Sequence, residues 1–177
     1  HQMGPYGGTW PRYGTSPSDV GIFHHRIAYD GLVRWDPMGR EILPNLATHW
    51  DIEDEGRSYT FYIRRGVRWS DGHPFSADDI LFWYQDVLQN EDLTPVIPIE
   101  YRKGGQTVSC EKINDYTIRF RFAEPYGLFL KQLASNLSYQ IVYYPAHNLK
   151  KFHPHYQPIE ELEKQARADG KDDARKD

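Results

Sequence analysis

Apolar and polar positions change period several times along this 177-residue chain. Tyr59-Thr60-Phe61-Tyr62-Ile63 concentrates the aromatic and β-branched side chains that suit a pleated, partly buried surface, and predicts a strand. Trp50-Asp51-Ile52 ahead of it alternates apolar with polar, and Asp54-Glu55-Gly56 in between supplies a glycine for the positive φ of a tight turn. The two segments are expected to pair as a hairpin. Residues 108–113 and 117–122 predict a second hairpin around Asn114-Asp115. There Ile118, Phe120 and Phe122 share one face and Thr117, Arg119 and Arg121 the other, the period of two expected of a sheet with one wet side. After Ser76 the pattern becomes helical. The Ser76 hydroxyl and the carboxylate of Asp79, just ahead of Ile80-Leu81-Phe82, can satisfy orphan amides at a helix start, and the helix is predicted over residues 77–89.

The remaining punctuation is sparser. Pro125-Tyr126-Gly127 breaks a strand before a short apolar helix over residues 128–133, and residues 159–166 read as a further helix ahead of the charged run 170–177. Near the N-terminus, Gly7-Gly8-Thr9-Trp10 reads as the start of an edge strand and residues 18–28 as a helix capped by Ser18. Strands and helices interleave without an internal repeat, so the fold class is mixed α/β.

Composition narrows the function. Hydrophobic residues at 39% and charged ones at 26% are ordinary for a globular chain able to bury a sizeable core. A formal charge of -4 offers no basic stripe to neutralise phosphates, which argues against a nucleic-acid partner. No apolar run reaches the roughly 18 residues of a membrane span, so no membrane insertion by this chain is expected. The single cysteine, Cys110, forms no internal disulfide and sits in a strand-like stretch, where it reads as a structural thiol.

Candidate chemistry points the same way. Asp51, Asp54, Asp71, Asp78 and Asp79 could suggest acid–base work, but Asp54 and Asp71 fall in turns, and Asp78 and Asp79 in a first helical turn, where the dipole favours negative charge. No nucleophile elbow or glycine-rich phosphate loop occurs, so no enzyme activity and no cofactor is expected. His24-His25, His147 and His153-Pro154-His155 lack partners at zinc-ligand spacing and read as solvated surface rather than metal ligands. Thirteen tyrosines and five tryptophans exceed what a core needs, and such amphipathic rings suit a cleft that grips peptide side chains or sugar rings.

The order of hairpin, Arg64-Arg65-Gly66-Val67-Arg68-Trp69, Ser70-Asp71-Gly72, Pro74-Phe75-Ser76-Ala77-Asp78-Asp79 and helix resembles the family 5 extracellular solute-binding proteins. These are receptors for peptides, nickel complexes and some sugars in ABC importers. Ala28-Tyr29-Asp30-Gly31-Leu32-Val33 and Ile42-Leu43-Pro44-Asn45-Leu46-Ala47 match the same family, and the resemblance spans about residues 6–148.

That resemblance implies a type II periplasmic-binding-protein fold, present in part. Family members are much longer, so the chain is expected to be an N-terminal fragment. The implied division is 1–32 for a first piece of large lobe I, 33–142 for a small mixed α/β lobe, and 143–177 for a return segment into lobe I. It further implies capture of a peptide or similar small solute between hinged lobes, delivery to ABC permease subunits of the inner membrane, and a periplasmic or extracellular location. The carried-over ligand-binding residues are Tyr13, Gly14, Thr15 and Ser16, in the loop after the first strand, with Tyr101 beyond the capped helix; no metal or catalytic residue is carried over. Arg64, Arg65 and Arg68 read as surface charges. Alternatives from other classes are a ligand-sensing module of a regulator and a non-enzymatic interaction domain reusing the small lobe.

Overall fold

The structure, a computed structural model, describes residues 30–168. The expected strand at Gly7-Gly8-Thr9-Trp10 and the expected helix over residues 18–28 lie outside the described residues. Strands β1 (Val33–Trp35) and β2 (Ile42–Pro44) pair antiparallel. Their loop closes on Asp36, whose carboxylate accepts the backbone N–H groups of Met38, Arg40 and Glu41. The Glu41 amide foremost holds that carboxyl below its ordinary range. These strands are too short to show a period in the sequence.

Next come β3 (Ala47–Glu53) and β4 (Ser58–Ile63), then helix α1 (Ala77–Phe82). The helix continues through a π-helical segment, Trp83–Leu88, whose end is marked by the Gln89 N–H donating to the Tyr84 carbonyl at 3.2 Å, five residues back. The expected helix over 77–89 is therefore present, with a wider second half. Short strands β5 (Arg102–Lys103) and β6 (Gln106–Thr107) precede β7 (Ser109–Asn114) and β8 (Thr117–Arg121), the second expected hairpin. Helix α2 (Phe129–Gln132) leads through a second π-helical segment, Leu133–Leu137, into α3 (Ser138–Val142). Helices α4 (Ala146–Leu149) and α5 (Ile159–Ala168) are the last of the described elements.

The main sheet is antiparallel, in the order β3-β4-β8-β7. Register places Tyr59 opposite Phe120 and Phe61 opposite Ile118, so the apolar sets of the two hairpins meet on one face. Tyr59, Phe61, Ile118 and Phe120 are all at most 1% exposed. Phe129 closes over them, with ring centroids 5.1 Å from Tyr59 and 5.7 Å from Phe120 in edge-to-face contact, the geometry that ring quadrupoles favour. The buried Tyr59 hydroxyl is satisfied by the Tyr126 carbonyl at 2.7 Å.

The opposite face is less wet than the alternation implies. Thr60 and Thr117 on the two central strands are buried, and Arg119 donates Nε–H to Thr60 Oγ1 at 3.1 Å. Further out, Tyr62 stacks on His49 at 4.1 Å and donates to Asp51 at 2.8 Å. In the first hairpin the turn needs more than its glycine: Asp54, Glu55 and Gly56 all take positive φ, at 51°, 57° and 86°.

Helix α1 starts as a capping box, with the Ser76 hydroxyl accepting from Asp78 N–H and the Asp79 carboxylate accepting from Ser76 N–H at 3.0 Å. Asp79 is nearly sealed, at 3% exposure. It also accepts the Trp69 indole N–H at 3.3 Å and the Ala146 backbone N–H at 2.9 Å. One carboxylate thus joins the helix start, the arginine-rich bend and α4.

Replacing Asp79 with Ala leaves three donors without that acceptor and should lower unfolding free energy by about 3 kcal/mol, with Asp79→Asn costing less. Phe129→Ala should cost about 3–5 kcal/mol by opening a cavity over the sheet. Urea unfolding checks both, and shifts inside about 0.5 kcal/mol would contradict this account of the core.

Candidate functional site

The arginine-rich bend between β4 and α1 is shaped by its own backbone. Trp69 N–H donates to His73 O and Phe75 N–H to Val67 O, which folds Ser70-Asp71-Gly72 into a tight loop. Gly66 and Gly72 both take positive φ, at 84° and 88°. Arg64, Arg65 and Arg68 are exposed, as expected of surface charges; Arg65 lies over the Tyr116 ring at 4.8 Å and Arg68 donates to the Gly72 carbonyl at 2.7 Å. Asp71 faces across to His147, 2.6 Å away, and that imidazole stacks on His73 with centroids 3.9 Å apart. The His147 contact, then the His73 backbone N–H, hold the Asp71 carboxyl below its ordinary range.

His147 and His153 are less exposed than the solvated surface expected of them, whereas His155 is exposed as expected; His24 and His25 lie outside the described residues. The side chain of His147 is 19% exposed and that of His153 12%, and His153 and His155 both lie beside Asp86. No local spacing could show this, since Asp86 belongs to the π-helical segment far upstream. Cys110 is half-buried in β7, and burial pushes its thiol up, away from the reactive thiolate.

A groove opens where the π-helical segment Trp83–Leu88 passes the turn at Ile99–Tyr101 and helix α3. Its volume is about 420 Å³, and its walls include Trp83, Leu88, Thr94, Tyr101, Gln140 and Tyr143. Tyr101 is 1% exposed. Its ring meets Trp83 edge to face at 5.1 Å, and its hydroxyl donates to Gln140 Oε1 at 3.2 Å. The structure therefore places Tyr101 in a wall of aromatic and polar side chains, the mixed character of a small-molecule pocket. The other carried-over residues, Tyr13, Gly14, Thr15 and Ser16, lie outside the described residues. Trp83, Gln140 and Tyr143 were not singled out from the sequence; only the helical phase of Trp83 hinted at its inward direction.

Comparison with known proteins gives these features a family. Residues 41–176 match the bacterial extracellular solute-binding proteins, family 5 (middle region). The solved structure of an oligopeptide-binding protein, OppA, shares 42% identity and a TM-score of 0.75, over 93% of this chain and 25% of that one. The periplasmic alpha-galactoside-binding protein of Rhizobium meliloti (strain 1021) is 32% identical over 78% of this chain and 20% of its own length. Di/tripeptide-binding protein 1 of Pseudomonas aeruginosa (strain UCBPP-PA14) is 29% identical over 69% of this chain and 25% of its own. The chain spans a fifth to a quarter of the length of these relatives.

The architecture is that of a fragment of a type II periplasmic binding protein. The chain belongs to family 5 of the bacterial extracellular solute-binding proteins, a family of binding proteins serving ABC importers.

Because the folded-state value of Asp71 is depressed, its contribution is present above the unfolded value of about 3.9 and is lost as pH falls through the lower folded one. Between about pH 5 and pH 2 the stability of Asp71→Asn should therefore fall less steeply than that of the parent. Equal slopes in urea titrations would show that the His147 contact carries no such linkage.

Proposed function

We propose that the protein is the substrate-binding component of an ABC importer, which captures a peptide between two lobes that hinge shut and presents it to permease subunits of the membrane. The observation that carries the reading is the 42% identity to an oligopeptide-binding protein sustained across 93% of this chain. In this reading the protein works in the periplasm or at the extracellular face of the membrane. Residues 33–142 form the small lobe, and 1–32 with 143–177 belong to the first large lobe.

Binding is the chemistry. A ligand that touches both lobes only when they are closed has a higher affinity for the closed state, and that difference shifts the population towards closure. The loop Tyr13-Gly14-Thr15-Ser16 supplies backbone donors and acceptors for an extended peptide, which adds to it as a strand. Tyr101 stands at the wall of the groove, its hydroxyl already oriented by Gln140.

A sugar is the second reading, favoured by the 32% identity to an alpha-galactoside-binding protein. Calorimetry of the protein, freed of copurified ligand, against short peptides and against α-galactosides separates the two. The first reading expects saturable binding of peptides and none of the sugars; the reverse result overturns it. Gly14→Pro removes a backbone donor from the loop and should weaken peptide binding about tenfold with no change in thermal stability. Unchanged affinity would remove that loop from the site.

A further inference from the structure

We propose that Asp86, His153 and His155 form a binding site for a divalent transition-metal ion, separate from the solute groove. One ligand atom from each of the three lies within 4.8 Å of the other two. Asp86 Oδ1 is 3.4 Å from His155 Nδ1 and 4.0 Å from His153 Nδ1. Ligands on a tetrahedral ion with bonds of about 2.0–2.1 Å sit roughly 3.3 Å apart, so small ring rotations bring all three into range. Two imidazoles and a carboxylate are a donor set for zinc, nickel or cobalt rather than for calcium or magnesium, which take oxygen.

The surroundings have the features of a built site. Asp86 is 3% exposed, and its second oxygen is held by the Tyr156 hydroxyl at 2.7 Å, which orients the carboxylate and leaves Oδ1 for the ion. His153 packs edge-on against Phe82, and its Nε2 is buried without a hydrogen-bond partner. Its Nδ1 accepts the His155 backbone N–H at 3.2 Å, a long contact on the same lone pair that the ion would take over. The 3.4 Å contact of His155 Nδ1 with Asp86 Oδ1 is long for a hydrogen bond, and an ion between them would pair the buried carboxylate more fully. Pro154 stiffens the turn between the two histidines. His155, with its side chain 81% exposed, leaves one side of the ion open to water.

Such an ion would tie the turn before α5 to the π-helical segment, two parts of the chain about 70 residues apart, and so would stabilise the lobe rather than react. Without the ion, the turn is held to the helix by the Tyr156 hydroxyl on Asp86, by ring contacts of His153 and Tyr156 with Phe82, and by the His155–Asp86 contact.

The test uses the purified protein, untagged and stripped with a chelator, titrated with zinc chloride by calorimetry and with cobalt chloride by visible absorption. The proposal expects one zinc equivalent at this site, a d–d band of a low-coordinate cobalt complex, and a rise in melting temperature with zinc. His155→Ala, at an exposed position, should fold as the parent does in chelator yet bind zinc at least tenfold more weakly and lose the cobalt band. Tyr156→Phe should keep the stoichiometry and weaken affinity about tenfold. Absence of zinc binding to the parent, or equal affinity for the parent and His155→Ala, overturns the proposal.

Discussion

The buried carboxylate of Asp79 is the constraint on which the rest of the described fold depends. A negative charge at 3% exposure is tolerated only where donors surround it, and here they come from three separate segments: Ser76 at the helix start, Trp69 in the arginine-rich bend and Ala146 in α4. Satisfying that single group fixes the direction of α1, the height of the bend above it and the return of the chain after α3. An ordinary capping residue would set only the first of these.

With α1 so placed, the aromatic face of the sheet has a lid. Ile80 and Trp83 reach down from the helix while Phe129 and Leu133 cover the other end, and the paired hairpins supply Tyr59, Phe61, Ile118 and Phe120 between them. The π-helical widening after Phe82 carries Trp83 into the groove wall and Asp86 towards the turn that follows α4. The same local expansion therefore builds one side of the groove and the acidic half of the histidine cluster.

Much of the fold was legible because its signals are local. The period of two in residues 117–122, the glycine of the first turn and the Ser76-to-Asp79 spacing each describe contacts made within a few residues, and all three elements are present. Strands β1, β2, β5 and β6 were not legible, since two or three residues carry no period. The π-helical register was hidden because residues 77–89 fit an ordinary helix equally well, and nothing in a helical pattern shows which turn will widen. For the site, composition supplied aromatic rings but not their convergence. The pairing of Tyr101 with Gln140, like that of Asp86 with His153, joins residues that no spacing argument connects. Tyr101 itself was reached through family resemblance, not through the unpatterned Val96-Ile97-Pro98-Ile99 before it.

In the proposed reading this part of the chain closes on a ligand together with a partner lobe, and its rigidity then matters as much as any single contact. A helix, bend and α4 that share one buried acceptor would move as one body, which in that reading leaves the hinge to connections outside them. Small-angle X-ray scattering of the protein with and without a saturating peptide tests this most directly. The account predicts a smaller radius of gyration with peptide bound, as the cleft shuts; an unchanged radius at full occupancy would contradict it.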